Sequence, residues 1–165
     1  MLIGGSRGRD PAITGLAALL APRFAVFSYD RSGSGAELED LAALIDEAGG
    51  SAALFGTSSG ALLALEATRT LAITQLAVYE PPFMLDDDSP PPERIAEVRP
   101  PTLVIDGEHT ELGLRRAARA LWAALPDVQT RTLEGQGRDW DPEALAPALE
   151  AFFAATAGAR DAAAR

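Results

Sequence analysis

Two hydrophobic periods alternate along the chain. Short continuous apolar runs, bounded by glycine, proline or polar residues, read as buried strands. They are Leu2-Ile3, Phe24 to Tyr29, Ala52 to Phe55, Gln75 to Tyr79, Thr102 to Ile105 and Thr130 to Leu133. Between them apolar residues recur at helical spacing: Ile13, Leu16, Leu19 and Leu20; Leu38, Leu41, Leu44 and Ile45; the run after Ser59; Leu114, Ala118, Leu121, Trp122 and Leu125; Leu145, Leu149, Phe152 and Phe153. Asp10-Pro11 and Asp141-Pro142 have the acid-then-proline signature of a helix start, and Gly49-Gly50 that of a helix stop. This alternation predicts an α/β fold: a mainly parallel sheet of about six strands with helices on both faces. Right-handed crossovers place the strands in the spatial order second, first, third, fourth, fifth, sixth.

Two stretches break the pattern. Residues 83–100 are rich in proline and acid, with Asp86-Asp87-Asp88 and Pro90-Pro91-Pro92, and read as a short lid loop. The aspartate run reads as a solvated turn, with a divalent-ion site as its alternative. One domain over 1–157 is expected, followed by a frayed tail over 158–165. No internal repeat is present.

Composition narrows the class. A chain of 165 residues with 47% hydrophobic content suits one domain around one core. No apolar run approaches the roughly 20 residues of a membrane span. Met-Leu-Ile-Gly-Gly at the start does not resemble a secretory leader. The absence of cysteine excludes disulfides and thiolate metal sites and fits a cytoplasmic location. A formal charge of −10 argues against nucleic acid and anionic membrane as partners. The expected partner is a small-molecule substrate, with no cofactor and no metal. Neither glycine-rich turn completes a nucleotide-binding pattern.

The most specific chemistry lies in Ser51 to Glu66. A buried strand, a tight turn and a helix from Ser59 enclose G-x-S-x-G over Gly56, Thr57, Ser58, Ser59 and Gly60. Such a turn strains the central serine and exposes its side chain. The flanking glycines are required because a Cβ at either would meet a neighbouring strand or helix. Ser58 would stand above the carboxyl edge of the sheet, with the Ser59 amide and the helix N-terminus beside it to stabilise an oxyanion. The five residues alone also fit an ordinary strand-to-helix loop; the apolar strand before and apolar helix after favour the catalytic reading.

Taken together, these motifs resemble the α/β-hydrolase fold family nearly end to end. Leu2-Ile-Gly-Gly-Ser6 resembles the strand and glycine turn that supplies the second oxyanion-hole amide, near Ser6. Tyr29-Asp-Arg-Ser-Gly-Ser-Gly35 resembles the family's YDRRGRG turn, and Gly56 to Gly60 its nucleophile elbow. Val78 to Phe83, Pro101 to Gly107 and Leu133 to Gln136 resemble the last three strands. Similar sequences occur in hydrolase-like proteins of actinobacteria, and the Ala/Arg-rich composition suits such a source.

The resemblance also exposes departures. The family's acid follows the strand matched by Thr102 to Asp106; Gly107-Glu-His-Thr110 puts Thr110 there. Its histidine base follows the last strand; Gly135-Gln-Gly-Arg138 puts Arg138 there. Arginine stays protonated and cannot serve as a general base. The family's strands before the glycine turn have no counterpart, and its lid is reduced to the proline loop. A second subunit closing the open cleft, through Phe83, Met84 and Leu85, is one expected consequence.

Three functions follow from this reading. The first is a non-hydrolytic enzyme of cyclase, lyase or isomerase type, acting on a small carbonyl-containing metabolite in natural-product biosynthesis. In it Ser58 and the amides near Ser6 and Ser59 bind a carbonyl, Arg138 stabilises negative charge, and Glu80 or Asp106 moves a proton. The second is a serine esterase using Ser58 with His109, the chain's single histidine, oriented by Asp139, Glu108 or Glu80. The third is an inactive hydrolase-like protein that binds a ligand. Gly5, Thr57, Phe83 and Trp140 are the expected pocket residues, Trp140 having core packing on the final helix as its alternative.

Overall fold

A computed structural model describes residues 1–5, 9–31, 33, 35–82, 95 and 97–163, with side chains as far as residue 155. Six strands form one sheet in the order β2-β1-β3-β4-β5-β6. They are β1 (Leu2–Ile3), β2 (Ser28–Tyr29), β3 (Ala52–Thr57), β4 (Ile73–Tyr79), β5 (Thr102–Gly107) and β6 (Val128–Leu133). Every neighbouring pair is parallel. Parallel strands need crossover connections, and the helices supply them. These are α1 (Pro11–Leu20), α2 (Glu37–Glu47), α3 (Ser59–Ala67), α4 (Leu112–Ala124) and α5 (Pro142–Ala163).

The sheet separates two hydrophobic layers. Phe55, Ala77, Leu103, Ile105 and Leu133 point to one face and pack with Ile13 and Leu16 of α1 and Leu145 and Leu149 of α5. Leu54, Leu76, Val78 and Val104 point to the other and pack with Leu41 of α2, Ala61 and Leu65 of α3 and Leu121 of α4. Alternate strand residues therefore serve opposite layers. That is why these strands are continuously apolar in sequence.

The caps behave as their sequences dictate. Asp10 accepts a hydrogen bond from the Ala12 amide and Pro11 opens α1. Gly49 and Gly50, with φ of 105° and 85°, turn the chain out of α2. None of the described helices is long and apolar enough to cross a membrane.

Several expectations need correction. The strand expected from Phe24 pairs only at Ser28 and Tyr29. Its sole neighbour, β1, spans two residues, and a strand is no longer than the ladder its partner offers. Phe24 and Val26 instead lean on the α1/α5 layer. Leu19 is 38% exposed and Trp122 51% exposed, so neither belongs to the core. Trp122 reaches out over β6, an edge strand with no neighbour beyond it to pack against. The helix α5 continues to Ala163, through most of the segment set apart as a tail. Most of the proline loop, 83–94, and residue 96 lie outside the described residues. Ile95 and Val98 at its end are buried in the α2/α3/α4 layer.

The elbow is packed backbone against backbone. A Cβ on Gly60 would lie 2.4 Å from the Gly4 carbonyl oxygen and 2.6 Å from that of Ile3. A Cβ on Gly56 would lie 2.5 Å from the Gly60 oxygen. All of these are backbone atoms with no rotamer to yield. Gly60→Ala is therefore expected to cost about 3 kcal/mol or more, as overpacking against a fixed wall does. Urea denaturation of the purified variant measures this, and a loss under about 0.5 kcal/mol would contradict the packing.

Candidate functional site at the carboxyl ends of the strands

Ser58 caps β3 and precedes α3 with φ 49° and ψ −125°. A non-glycine residue at positive φ is uncommon and is held there only by its surroundings. The Ser58 amide donates to the Tyr79 carbonyl at 2.9 Å, continuing the β3–β4 ladder through the turn. Gly5 stands against it, where an added Cβ would be 2.8 Å from the Ser58 Cβ and 3.6 Å from its Oγ. Thr57 beneath it is buried. Among the described residues the Ser58 hydroxyl has no hydrogen-bond partner. Ser59 opens α3, where helix geometry and dipole favour negative charge.

The Tyr29 to Gly35 turn braces this elbow. Arg31 Nη1 donates to Ser59 Oγ at 2.6 Å, and Ser59 Oγ donates to the Gly5 carbonyl at 2.6 Å. Arg31 is itself gripped by both Glu37 oxygens, at 3.0 and 2.8 Å. The planar guanidinium fork is suited to such a double grip. The sequence reading quoted this turn without giving Arg31 a role. An arginine followed six residues later by the acid that opens a helix was the available signal.

A second strained residue adjoins the first. Glu80 follows Tyr79 at the end of β4 with φ 46°, and only 4% of it is exposed. Ser58 and Glu80 are the only non-glycine residues at positive φ among those described. The Thr110 hydroxyl donates a short hydrogen bond to Glu80 Oε1 and accepts one from the Gly107 amide at 2.7 Å. Thr110 is thus tied to a carboxylate that arrives from the neighbouring strand. Burial pushes the Glu80 carboxyl above the ordinary carboxylate value. The Thr110 hydrogen bond opposes this, Asp106 and Glu111 reinforce it, and Arg138 pulls the other way.

The β5–α4 and β6–α5 loops interlock. The His109 amide donates to the Gln136 carbonyl at 2.8 Å, and a Cβ on Gly137 would lie 3.3 Å from that of His109. The Tyr79 hydroxyl donates to the Gly137 carbonyl at 2.6 Å. His109 and Arg138 are both exposed on these loops. Arg138 acts on Glu80 electrostatically. Asp106 accepts from the Thr132 hydroxyl at 2.6 Å. Glu108 accepts from the Gly135 amide at 2.9 Å, which ties it to the loop rather than to His109.

Other expected residues fall elsewhere. Trp140 is buried edge-on to Phe55, with centroids 6.1 Å apart, and tilted against Tyr79. It belongs to the core below the elbow, the packing alternative weighed for it. Ser6 and Phe83 lie outside the described residues, as do Met84, Leu85 and Asp86 to Asp88. Among the described residues no group of three His, Cys, Asp or Glu side chains is placed to hold a metal ion.

A parallel sheet covered on both faces, with a strained serine at a strand-to-helix turn, defines an α/β-hydrolase-type fold. The family model of the alpha/beta hydrolase family matches residues 4–165, and the chain belongs to that family. Among solved structures it is similar to an alpha/beta hydrolase from Sphaerobacter thermophilus. The TM-score is 0.79 at 29% identity, over 92% of this chain and 91% of that one. It is also similar to Est1E from Butyrivibrio proteoclasticus (TM-score 0.74, 16% identity, 95% of this chain and 87% of that one). Naproxen esterase from Bacillus subtilis gives a TM-score of 0.73 at 14% identity, over 92% and 82%. At such low identity the last two show the fold alone. No curated protein matches the sequence.

The raised value of Glu80 makes a signed prediction. An unfolded glutamate titrates near 4.5, and the folded one titrates higher. Wild-type stability is therefore fullest below the unfolded value and falls as pH rises through the folded value. Glu80→Gln keeps an acceptor for Thr110 and carries no titrating charge. Its Tm relative to wild type is expected to rise from pH 5 to pH 8. A difference that stays constant over that range would exclude burial strain on the Glu80 carboxylate.

Proposed function

We propose that the chain is a carbonyl-binding enzyme that does not hydrolyse esters. It acts on a small carbonyl-containing metabolite, in a reaction of isomerase, lyase or cyclase type, with natural-product biosynthesis as the setting. The observation that carries this is the buried Glu80 carboxyl, held at positive φ just after the strand next to Ser58 and raised above the ordinary carboxylate value by burial. Such a group is tuned for proton transfer, while Arg138, at the family's base position, cannot accept a proton. In this reading the substrate carbonyl oxygen sits at the amides near Ser6 and Ser59. The Glu80 carboxylate takes the proton from the carbon beside the carbonyl, and the C–H electron pair moves into an enolate. Arg138 and the helix N-terminus stabilise the enolate oxygen. Where the substrate carries a C=C at the β,γ position the enolate is conjugated: the protonated carboxyl returns the proton to the γ-carbon, the C=C shifts to the α,β position as the carbonyl re-forms, and atoms and charge balance without a cofactor.

A second reading rests on the contact between His109 and Gly137, which puts the single histidine against the loop where a base is needed. It is a serine esterase with Ser58 as nucleophile and His109 as base. A protein that binds a ligand without chemistry is the third.

Steady-state hydrolysis of a short-chain nitrophenyl ester separates these readings. The non-hydrolytic enzyme predicts weak turnover, unchanged within about threefold by Ser58→Ala or His109→Ala; intact triads lose roughly 10⁴-fold or more on such substitutions. Robust turnover abolished by both substitutions would replace the first reading with the esterase. Arg138→His supplies a base with the Glu80 carboxyl already in place beside Thr110, and about 10²-fold more hydrolysis is expected of it. Proton exchange at the carbon next to a ketone, followed by NMR in deuterated water, then distinguishes the enzyme from the inert binder. Glu80→Gln should abolish that exchange.

A further inference from the structure

Across β5 from the strained pair, α4 overhangs the edge strand β6 and encloses a groove of about 180 Å³. Three arginines line it, Arg115 and Arg119 from α4 and Arg131 from β6. In a chain of net charge −10 this is a local reversal of sign. The Asp106 carboxylate is the one acid lining the groove, and it is engaged by the Thr132 hydroxyl. No ion pair involves Arg119 or Arg131 among the described residues. Arg115 Nη2 is anchored to the Glu108 carbonyl at 2.5 Å and to that of Gly107 at 3.3 Å. Its Nε is enclosed and makes no hydrogen bond among the described residues. An enclosed donor without an acceptor is costly. Trp122 forms another wall, half of its surface open.

We infer that this groove is a binding site for a small aromatic oxyanion, an aryl phosphate or aryl carboxylate, separate from the cleft over Ser58. The guanidinium groups match a planar or tetrahedral oxyanion through paired N–H donors, which lysine could not do. The Thr130 hydroxyl, also on the wall, supplies a further donor. The Trp122 face takes the flat part of the ligand, and covering it removes exposed apolar surface. The volume admits one ring with its anionic group. Arg115 holds the β5–α4 loop that carries His109 and Thr110, so an occupied groove shares a wall with the candidate site.

The two tryptophans provide a built-in test, since Trp122 lines the groove and Trp140 lies in the core beneath the elbow. Phenyl phosphate and benzoate are titrated into the ¹⁵N-labelled protein, and the two indole N–H signals are followed by NMR. Sodium chloride at matched ionic strength is the control. The expected result is a saturable shift of the Trp122 signal with at least one probe while the Trp140 signal stays in place. The tighter probe tells phosphate from carboxylate. The Arg119→Gln/Arg131→Gln double variant should bind at least about tenfold more weakly with the rest of its spectrum preserved. Each single variant serves if the double variant fails to fold. Ser58→Ala should bind as wild type does. The inference is overturned if neither probe gives a saturable Trp122 shift, if sodium chloride reproduces it, or if the arginine variants bind equally well.

Discussion

The whole site hangs on backbone packed directly against backbone where side chains are absent. At Gly60 the first turn of α3 rests on the carbonyls of Ile3 and Gly4, and at Gly56 strand β3 rests on α3. At Gly107, a Cβ would lie 2.2 Å from the Gln136 carbonyl oxygen. These contacts leave the elbow no room to relax, so Ser58 is kept at φ 49° although an L-residue gains nothing locally by being there. Strain of this kind costs on the order of 1–3 kcal/mol and persists only when the surroundings over-determine it. Here they do so through three elements, β1, β3 and α3, which meet without intervening side chains.

From that fixed point a hydrogen-bonded chain crosses the carboxyl ends of four strands. Ser58 is bonded to Tyr79, Glu80 to Ile105 and to Thr110, His109 to Gln136, and the Tyr79 hydroxyl to Gly137. Each link joins a loop to the strand beside it. The β6–α5 loop, far from the elbow in sequence, is thereby positioned by Tyr79, which itself carries the bond to Ser58. On the opposite side Arg31, Glu37 and Ser59 tie the elbow to the Gly5 carbonyl. The Glu80 carboxyl tolerates burial because Thr110 satisfies one of its oxygens, yet it remains poorly solvated. Burial with partial satisfaction is what raises this carboxyl above the ordinary carboxylate value.

The parts legible in the sequence were those with local causes. Strand order, the two-layer architecture, both proline-initiated helices and the elbow follow from periodicity, capping and the collisions a Cβ would cause at Gly56 and Gly60. Those set by neighbours were not legible. Helical spacing placed Trp122 on the inner face of α4, but whether a strand lies beneath it depends on β6 being the edge. Phe24 to Val26 have strand composition and lack a strand partner among the described residues, the ladder with β1 beginning where the Leu2 amide donates to the Phe27 carbonyl. The bond between Glu80 and Thr110 joins residues thirty apart. Sequence position marked Thr110 only as a lost acid; the carboxylate that meets it enters from β4.

That placement changes what the departures from the usual triad mean. If the acid were absent, the Thr110 hydroxyl would have no carboxylate to meet, and ligand binding would be the site's most economical use. With a carboxyl supplied from β4, the proposed site keeps an acid and an oxyanion-favouring helix terminus, and differs from a hydrolase chiefly at position 138. A guanidinium there stabilises negative charge at every accessible pH, whereas an imidazole would exchange protons. A cation beside a poorly solvated carboxyl also limits how far that carboxyl rises, as the opposing influences of burial and Arg138 on Glu80 illustrate. In the proposed site a buried carboxyl, raised above the ordinary carboxylate value by its burial, would stand next to donors that stabilise an enolate. On that reading, exchanging histidine for arginine redirects the elbow from nucleophilic attack to carbonyl polarisation, and leaves the scaffold that presents it unchanged.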